Sequence, residues 1–389
     1  MINFENTEIA FRSKSDRDLK KAYLLFKIMS NNFLQKSGTT LAKIAIAVHF
    51  PINWAVKPTI YNHFVGGETI DACLQTVNLL GKFNVKSVLD YSVEGGEEQS
   101  HFENALQETL KSIINAGKNP NIPFAVFKPT AFAPSHILEK ASQENVSLSE
   151  NEAAEIQSFK SRVNELCQAA YDNNISILID AEDSWYQNII DETVEEMMRK
   201  YNKERAVVFN TWQMYRHDRL EHLKKWCERA KGHYFVGAKF VRGAYMEKER
   251  KRAEEKGYPS PIHPNKEATD KAYNDALRYT FDNLDFVTIF NGTHNENSSQ
   301  ILARWMIENN IPKDDKRIWF SQLYGMSDHI SFNLAEEGFN VAKYVPYGPV
   351  KHVLPYLFRR ASENTSVKGQ TGRELLLLSK ERNRRKDYK

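Results

Sequence analysis

Cysteine is scarce: the 389-residue chain holds three, Cys73, Cys167 and Cys227, and none forms a CxxC pair. That excludes a disulfide scaffold and a cysteine-rich zinc or iron–sulfur site, and it fits a reducing compartment. Long apolar runs are missing too. The most apolar early stretch, residues 41–56, contains Lys43, His49 and Pro51, and is too short and too interrupted for a membrane span. The opening MINFENTEIAFRSKSDRDLKK lacks the apolar core of a signal peptide. Neither sign of charge dominates. Lys and Arg number 53 and Asp and Glu 50, for a net charge of +3, whereas a nucleic-acid binder more often shows a marked basic excess. Several site motifs are absent as well. No GxGxxG follows a strand-like run and no GxxxxGK[ST] occurs, so Rossmann and P-loop sites are unsupported. The eleven histidines form neither HExxH nor HxH, and there is no GxSxG elbow. The expectation is a cytoplasmic protein with no resident metal and no nucleic-acid partner, with contact at a membrane surface left open.

What is present reads as an ordinary globule: 41% hydrophobic, 26% charged and 12% aromatic. A chain of this length buries about three quarters of its unfolded surface, and α/β barrels run past ~250 residues as one domain. Residues 1–84 read as helices. Ser15-Asp16 caps LKKAYLLFKIM, another helix follows from Thr40, and Glu68 opens ETIDACLQTVNLLGKF. Eight short apolar runs then recur, at 85–92, 123–128, 175–182, 206–213, 234–241, 285–290, 317–322 and 340–346. Helical patterns such as TDKAYNDALRYTFDNL separate them. Strands alternating with helices imply βαβ units, and eight of them point to a closed (β/α)₈ barrel over 85–370, with a doubly wound open sheet as the alternative. Residues 371–389 read as a basic tail, since 380–389 alone carry six basic and two acidic residues.

Polar side chains close nearly every run: Asp90, Lys128, Asp180, Gln213, Lys239 with Arg242, 291–294, Gln322 and Tyr344. Barrel active sites are assembled from that rim, although strands also end wherever polarity begins. Three segments stand out. In YLFRRASEN (356–364), helical spacing puts Tyr356, Arg359, Arg360 and Glu363 on one stripe. Two adjacent guanidinium groups there suit a carboxylate clamp, with Leu354 and Leu357 docking the other face; a solvated face with an Arg–Glu pair is the plainer reading. FVRGAYMEKER (240–250) brings Arg242 beside Gly243, which permits close backbone approach, or is simply a basic strand end. FNGTHNENS (290–298) is dense in donors and acceptors, as an Asn-rich turn also would be.

Taken together, ILIDAE (177–182), NTWQMYR (210–216), AKFVRGAY (238–245), THN (293–295), QLYGM (322–326) and KYVPYGPVKHVLPYLFRRASEN (343–364) resemble the proline dehydrogenase family. The wording of the last segment is nearer the eukaryotic-type members than the large bifunctional bacterial enzymes. The resemblance implies a flavin-dependent (β/α)₈ barrel that binds FAD without a Rossmann fold and oxidises L-proline to Δ1-pyrroline-5-carboxylate, the first step of proline catabolism. It implies a membrane quinone as electron acceptor, peripheral contact at the inner membrane, and a pyrroline-5-carboxylate dehydrogenase as a possible partner. By matched position, Arg359, Arg360 and Lys128 would hold the proline carboxylate. Asp180, Ala244, Tyr245, Leu323, Tyr344 and Tyr356 would line the pyrrolidine ring. Gln213, Lys239, Val241, Arg242, Gly243, Thr293, His294, Asn295 and Glu363 would contact the flavin, and Lys266 and Thr269 match more loosely. Positions 239 and 242 are Lys and Arg where the large bacterial enzymes have Arg and Lys, which keeps the charge but changes the donor geometry. Two other readings compete: a lyase or aldolase with Lys128 or Lys239 as Schiff-base amine, and a ligand-binding barrel without turnover.

Overall fold

A computed structural model describes residues 2–31, 56–92, 98–366 and 370–387, with the side chains of 361–366 and 370 left undescribed. The helix expected from Thr40 lies outside these residues. Every one of the eight apolar runs overlaps a strand, and three strands run one or two residues further: β1 Val85–Tyr91, β2 Phe124–Phe127, β3 Ser176–Ile179, β4 Val208–Gln213, β5 Val236–Val241, β6 Val287–Gly292, β7 Ile318–Leu323 and β8 Val341–Tyr347. They pair in chain order as a closed parallel barrel, which settles the choice against an open sheet. The runs are legible because strands of a parallel barrel are buried on both faces and read as continuous apolar stretches. Residues 95–321 form one compact unit, and 1–94 with 322–389 a second.

In the first unit, one end of the barrel interior is filled by rings. Phe124 of β2 meets Phe209 of β4 at 5.7 Å, Phe290 of β6 at 5.0 Å and Trp319 of β7 at 5.0 Å between centroids. β2 neighbours none of these other three strands in the sheet, so the Phe124 ring reaches theirs only across the interior. Space for this plug comes from Gly237 on β5, which pairs with Phe209. A Cβ at Gly237 would lie 2.4 Å from the Val208 carbonyl oxygen and 2.6 Å from the Phe209 ring. Around the strands, the helix Glu150–Asp172 opens with a capping box between Ser149 and Glu152.

In the second unit, Ser15 caps the helix Asp16–Met29 through a box with Asp18. The helix expected from Glu68 starts two residues later, at Ile70, because the Thr69 side chain accepts the Ala72 N–H and acts as the cap. After β8 the chain enters the helix Val350–Ser366, which contains Pro355 and begins six residues before Tyr356. The terminal segment is itself helical, Gln370–Asp387, with Leu377 and Leu378 in the core. Its basic side chains are largely engaged. Arg384 and Arg385 bond the buried Glu381, Arg385 also reaches Asp16 and the carbonyls of Phe11 and Lys14, and Lys380 reaches Glu5. Those bonds withdraw three charges from any contact this segment could make with an anionic surface. Among the described residues, no helix is long and apolar enough to cross a membrane.

The ring plug yields a test. Gly237→Ala should destabilise the protein by about 1–3 kcal/mol, since a backbone oxygen and a packed ring stand where the methyl would go. The urea midpoint measures this, and an unchanged midpoint would show that β4 and β5 are not packed as described.

Candidate active site

The polar ends of β2, β3 and β5 converge on one carboxylate. Lys239 is buried on β5, and its Nζ lies 2.5 Å from Asp180 Oδ1. Lys128, directly after β2, places its Nζ 3.5 Å from Asp180 Oδ2. Asp180 itself follows β3 and donates its backbone N–H to the Phe127 carbonyl at 3.0 Å. Burial alone would raise the Asp180 pKa, but the two ammonium groups outweigh it and hold the carboxyl below its ordinary value. Asp180 is thus held between two ammonium groups.

Beside it, Arg242 organises the exit of β5. Its Nε donates to Asp270 at 2.6 Å, one Nη to Thr293 Oγ1 at 2.7 Å and the other to Ser298 Oγ at 2.9 Å. The guanidinium carbon lies 4.3 Å from the centroid of the Tyr273 ring. Lys266 bonds the second oxygen of Asp270, so Lys266, Arg242 and Thr293 form one connected group. Gly243 has φ +119, and a Cβ there would stand 2.5 Å from the Tyr215 ring, so the position requires glycine. The next helix, Met246–Lys256, is tied to the segment after β3. Glu249, fully buried, accepts from the Ser184 N–H and hydroxyl, and Lys248 reaches Asp183 at 2.6 Å. That anchoring fixes the intervening Ala244 and Tyr245.

Other expected residues take more local roles. Gln213 is buried at the end of β4, with its Nε2 3.4 Å from the Ala181 carbonyl, and Val241 is the half-buried last residue of β5. The Asn295 side chain accepts the Ser298 N–H as a helix cap, Thr293 Oγ1 accepts the Asn295 N–H, and His294 lies between them. Thr269 turns its hydroxyl to the Asn265 carbonyl. In the second unit, Leu323 ends β7 and Tyr344 is buried on β8. Tyr356 and Arg360 are buried on the helix Val350–Ser366, with the Arg360 guanidinium 5.2 Å from the Tyr356 ring centroid, and Arg359 is half-buried. The stripe is therefore not a solvated face, and Leu354 and Leu357 enter the core as expected. Glu363 lies on the same helix, and its side chain is outside the described set.

Sequence reasoning passed over Glu182, two residues beyond Asp180. Both its oxygens accept from Thr130, at 3.1 Å from the N–H and 2.8 Å from the hydroxyl. It thereby holds the turn Pro129–Ala131 that follows Lys128. Asp270 was missed too, although its place one helical turn after Lys266 signals an i, i+4 pair.

The family profile described as proline dehydrogenase matches residues 73–373. The chain belongs to that family. Among curated proteins it is 35% identical over 325 residues to the carbapenem antibiotics biosynthesis protein CarD of Pectobacterium carotovorum subsp. carotovorum, covering 83% of each. With proline dehydrogenase 1, mitochondrial, of Dictyostelium discoideum it shares 30% identity, over 98% of this chain and 74% of the relative. The fold is that of proline utilization A from Bdellovibrio bacteriovorus inactivated by N-propargylglycine, with a TM-score of 0.73 at 20% identity. That alignment takes in 92% of this chain and 38% of the much longer structure.

Glu182 gives this site a pH signature. Burial pushes its carboxyl up to about 7, against the opposing pull of the Thr130 bonds and Lys128. Between about pH 4.5 and 7 the folded state then holds more protons than the unfolded one, so stability falls as pH rises through that window. Glu182→Gln should flatten the slope, which amounts to about 3 kcal/mol in the parent. Denaturant midpoints across the window measure it, and parallel profiles for the two proteins would remove Glu182 as its source.

Proposed function

We propose that the chain oxidises L-proline to Δ1-pyrroline-5-carboxylate with FAD as its cofactor and a membrane quinone as final acceptor. The observation that carries this reading is the family match: it begins before β1 and ends beyond Arg359 and Arg360, so it spans the whole barrel and the clamp helix.

The donor set suits FAD. A dinucleotide flavin presents a pyrophosphate dianion and a ring that gains negative charge on reduction, and the strand ends offer cations, an amide, hydroxyls and a glycine-opened backbone. Lys239, Arg242, Gln213, Val241, Gly243, Thr293, His294 and Asn295 are the residues that would hold it, with Lys266, Thr269 and Glu363 at the margin. Bound there, FAD supplies the hydride acceptor, which no side chain can provide. Lys128 and Lys239 bring two ammonium groups to the ends of β2 and β5, the donor type that an anionic ligand takes. Arg359 and Arg360 are the candidate ligands of the substrate carboxylate, through charge-assisted bonds, and Lys128 is a third cation for it. Tyr344, Tyr356 and Leu323, together with Asp180, Ala244 and Tyr245, are the candidates for the ring. The quinone implies peripheral contact with a membrane, and the unsaturated product calls for a pyrroline-5-carboxylate dehydrogenase downstream.

A Schiff-base lyase is disfavoured by the same triad. Both candidate amines, Lys128 and Lys239, are engaged by Asp180 rather than presented as nucleophiles.

Purified protein should show flavin absorbance that L-proline bleaches without oxygen. A colourless protein trapped on substrate by borohydride would overturn the reading. Arg359→Met and Arg360→Met should each lower kcat/KM about ten- to hundredfold, mainly through KM, with FAD still bound. Unchanged proline kinetics in both would end the clamp assignment.

A further inference from the structure

The reading above gives the N-terminal segment no chemistry, yet that segment reaches the turn that carries Leu323. Between β7 and the helix Asp328–Glu336 the backbone is irregular: Gly325 has φ +79 and Ser327 φ +51. A Cβ at Gly325 would meet the His63 carbonyl oxygen at 2.3 Å, so the two segments touch main chain to main chain.

The turn is tied at nearly every residue. Lys343 is wholly buried on β8, and its Nζ donates to the Met326 carbonyl at 2.5 Å and the Leu323 carbonyl at 3.3 Å. The same Nζ lies 2.8 Å from Asp328 Oδ1, and Lys14 Nζ lies 3.1 Å from Oδ2. His63 Nε2 is 2.8 Å from the Gly325 carbonyl, which can only accept, so that nitrogen carries the hydrogen. Burial keeps His63 neutral, with its pKa pulled down to about 4. The Tyr324 N–H donates to the Tyr344 carbonyl at 2.7 Å. From the terminal helix, Glu374 accepts the Ser327 N–H at 2.5 Å.

A buried lysine is costly, and a well-packed apolar residue often serves stability as well or better. What an apolar residue cannot do is hold two carbonyls of an irregular turn in a fixed direction. Those carbonyls belong to Leu323 and to Met326, and the lysine is the residue just before Tyr344. Leu323 and Tyr344 are two of the side chains expected to line the proline ring.

We propose that Lys343 is a positioning residue: braced by Asp328 and Lys14, and assisted by His63, it sets the backbone of residues 323–327 and thereby the placement of Leu323 against the substrate ring. The proposal rests on the proline dehydrogenase reading for its substrate.

The test is Lys343→Met, alone and combined with Leu323→Ala, in the full flavin-loaded chain. If Lys343 acts through Leu323, the single variant keeps its flavin, raises the KM for L-proline about tenfold and changes kcat much less. It also speeds amide exchange over residues 322–328. In the Leu323→Ala background the same substitution shifts KM less than about twofold, because the group it positions is gone. An unchanged KM, or an equal effect in both backgrounds, overturns the proposal in favour of a merely structural role. Should Lys343→Met fail to fold, His63→Leu leaves the charged groups in place and is read in the same way. If the parent protein itself is not bleached by L-proline, it is the functional reading that fails. Amide exchange then still decides the tether: faster exchange in Lys343→Met supports it and unchanged exchange overturns it.

Discussion

A lysine ammonium inside a barrel has to be neutralised, and the Lys239–Asp180 contact meets that demand. Removing one partner of such a pair leaves an uncompensated buried charge, at a cost of about 3–5 kcal/mol. The pair joins β5 to the end of β3, so it constrains the register of β4 between them. A slip by one residue would turn Lys239 to the opposite face of the sheet. Gly237, two residues earlier on the same strand, opposes Phe209 and makes room for the ring plug. The apolar end of the barrel and its polar end are thus specified by the same few strands, and neither can be rearranged without the other.

Much of this was legible in the sequence. Each apolar run overlaps its strand because parallel strands covered on both faces carry little polarity until they end. The residue types at those ends, Lys128, Asp180, Gln213 and Lys239, were legible for the same reason. Their partners were not. Asp180 and Lys239 are separated by 59 positions, and they meet only once β3 and β5 have paired on either side of β4. Glu182 and Glu249 read as ordinary surface acids until tertiary packing buries them against Thr130 and Ser184. Thr269 could be singled out only by resemblance and Asn295 only as part of a donor-rich segment, and in the fold their side chains serve their own helices. The start of the helix Val350–Ser366 was obscured by Pro355, a residue that usually marks a helix boundary but here lies inside one.

Each unit of the chain contains a carboxylate held between two lysines: Asp180 between Lys128 and Lys239, and Asp328 between Lys14 and Lys343. In both, burial works against the charged carboxyl and the paired ammonium groups overcome it. The difference lies in the surroundings of the ammonium groups. Lys343 is sealed from solvent, and the Leu323 and Met326 carbonyls take up its remaining hydrogens, so that triad is committed to holding the backbone. Lys128 keeps 21% of its side chain exposed at a strand end, where barrel enzymes gather their chemistry. The same three side-chain types therefore serve a scaffold where backbone carbonyls complete the bonding of the lysine, and stand elsewhere at a strand end that is partly open to solvent.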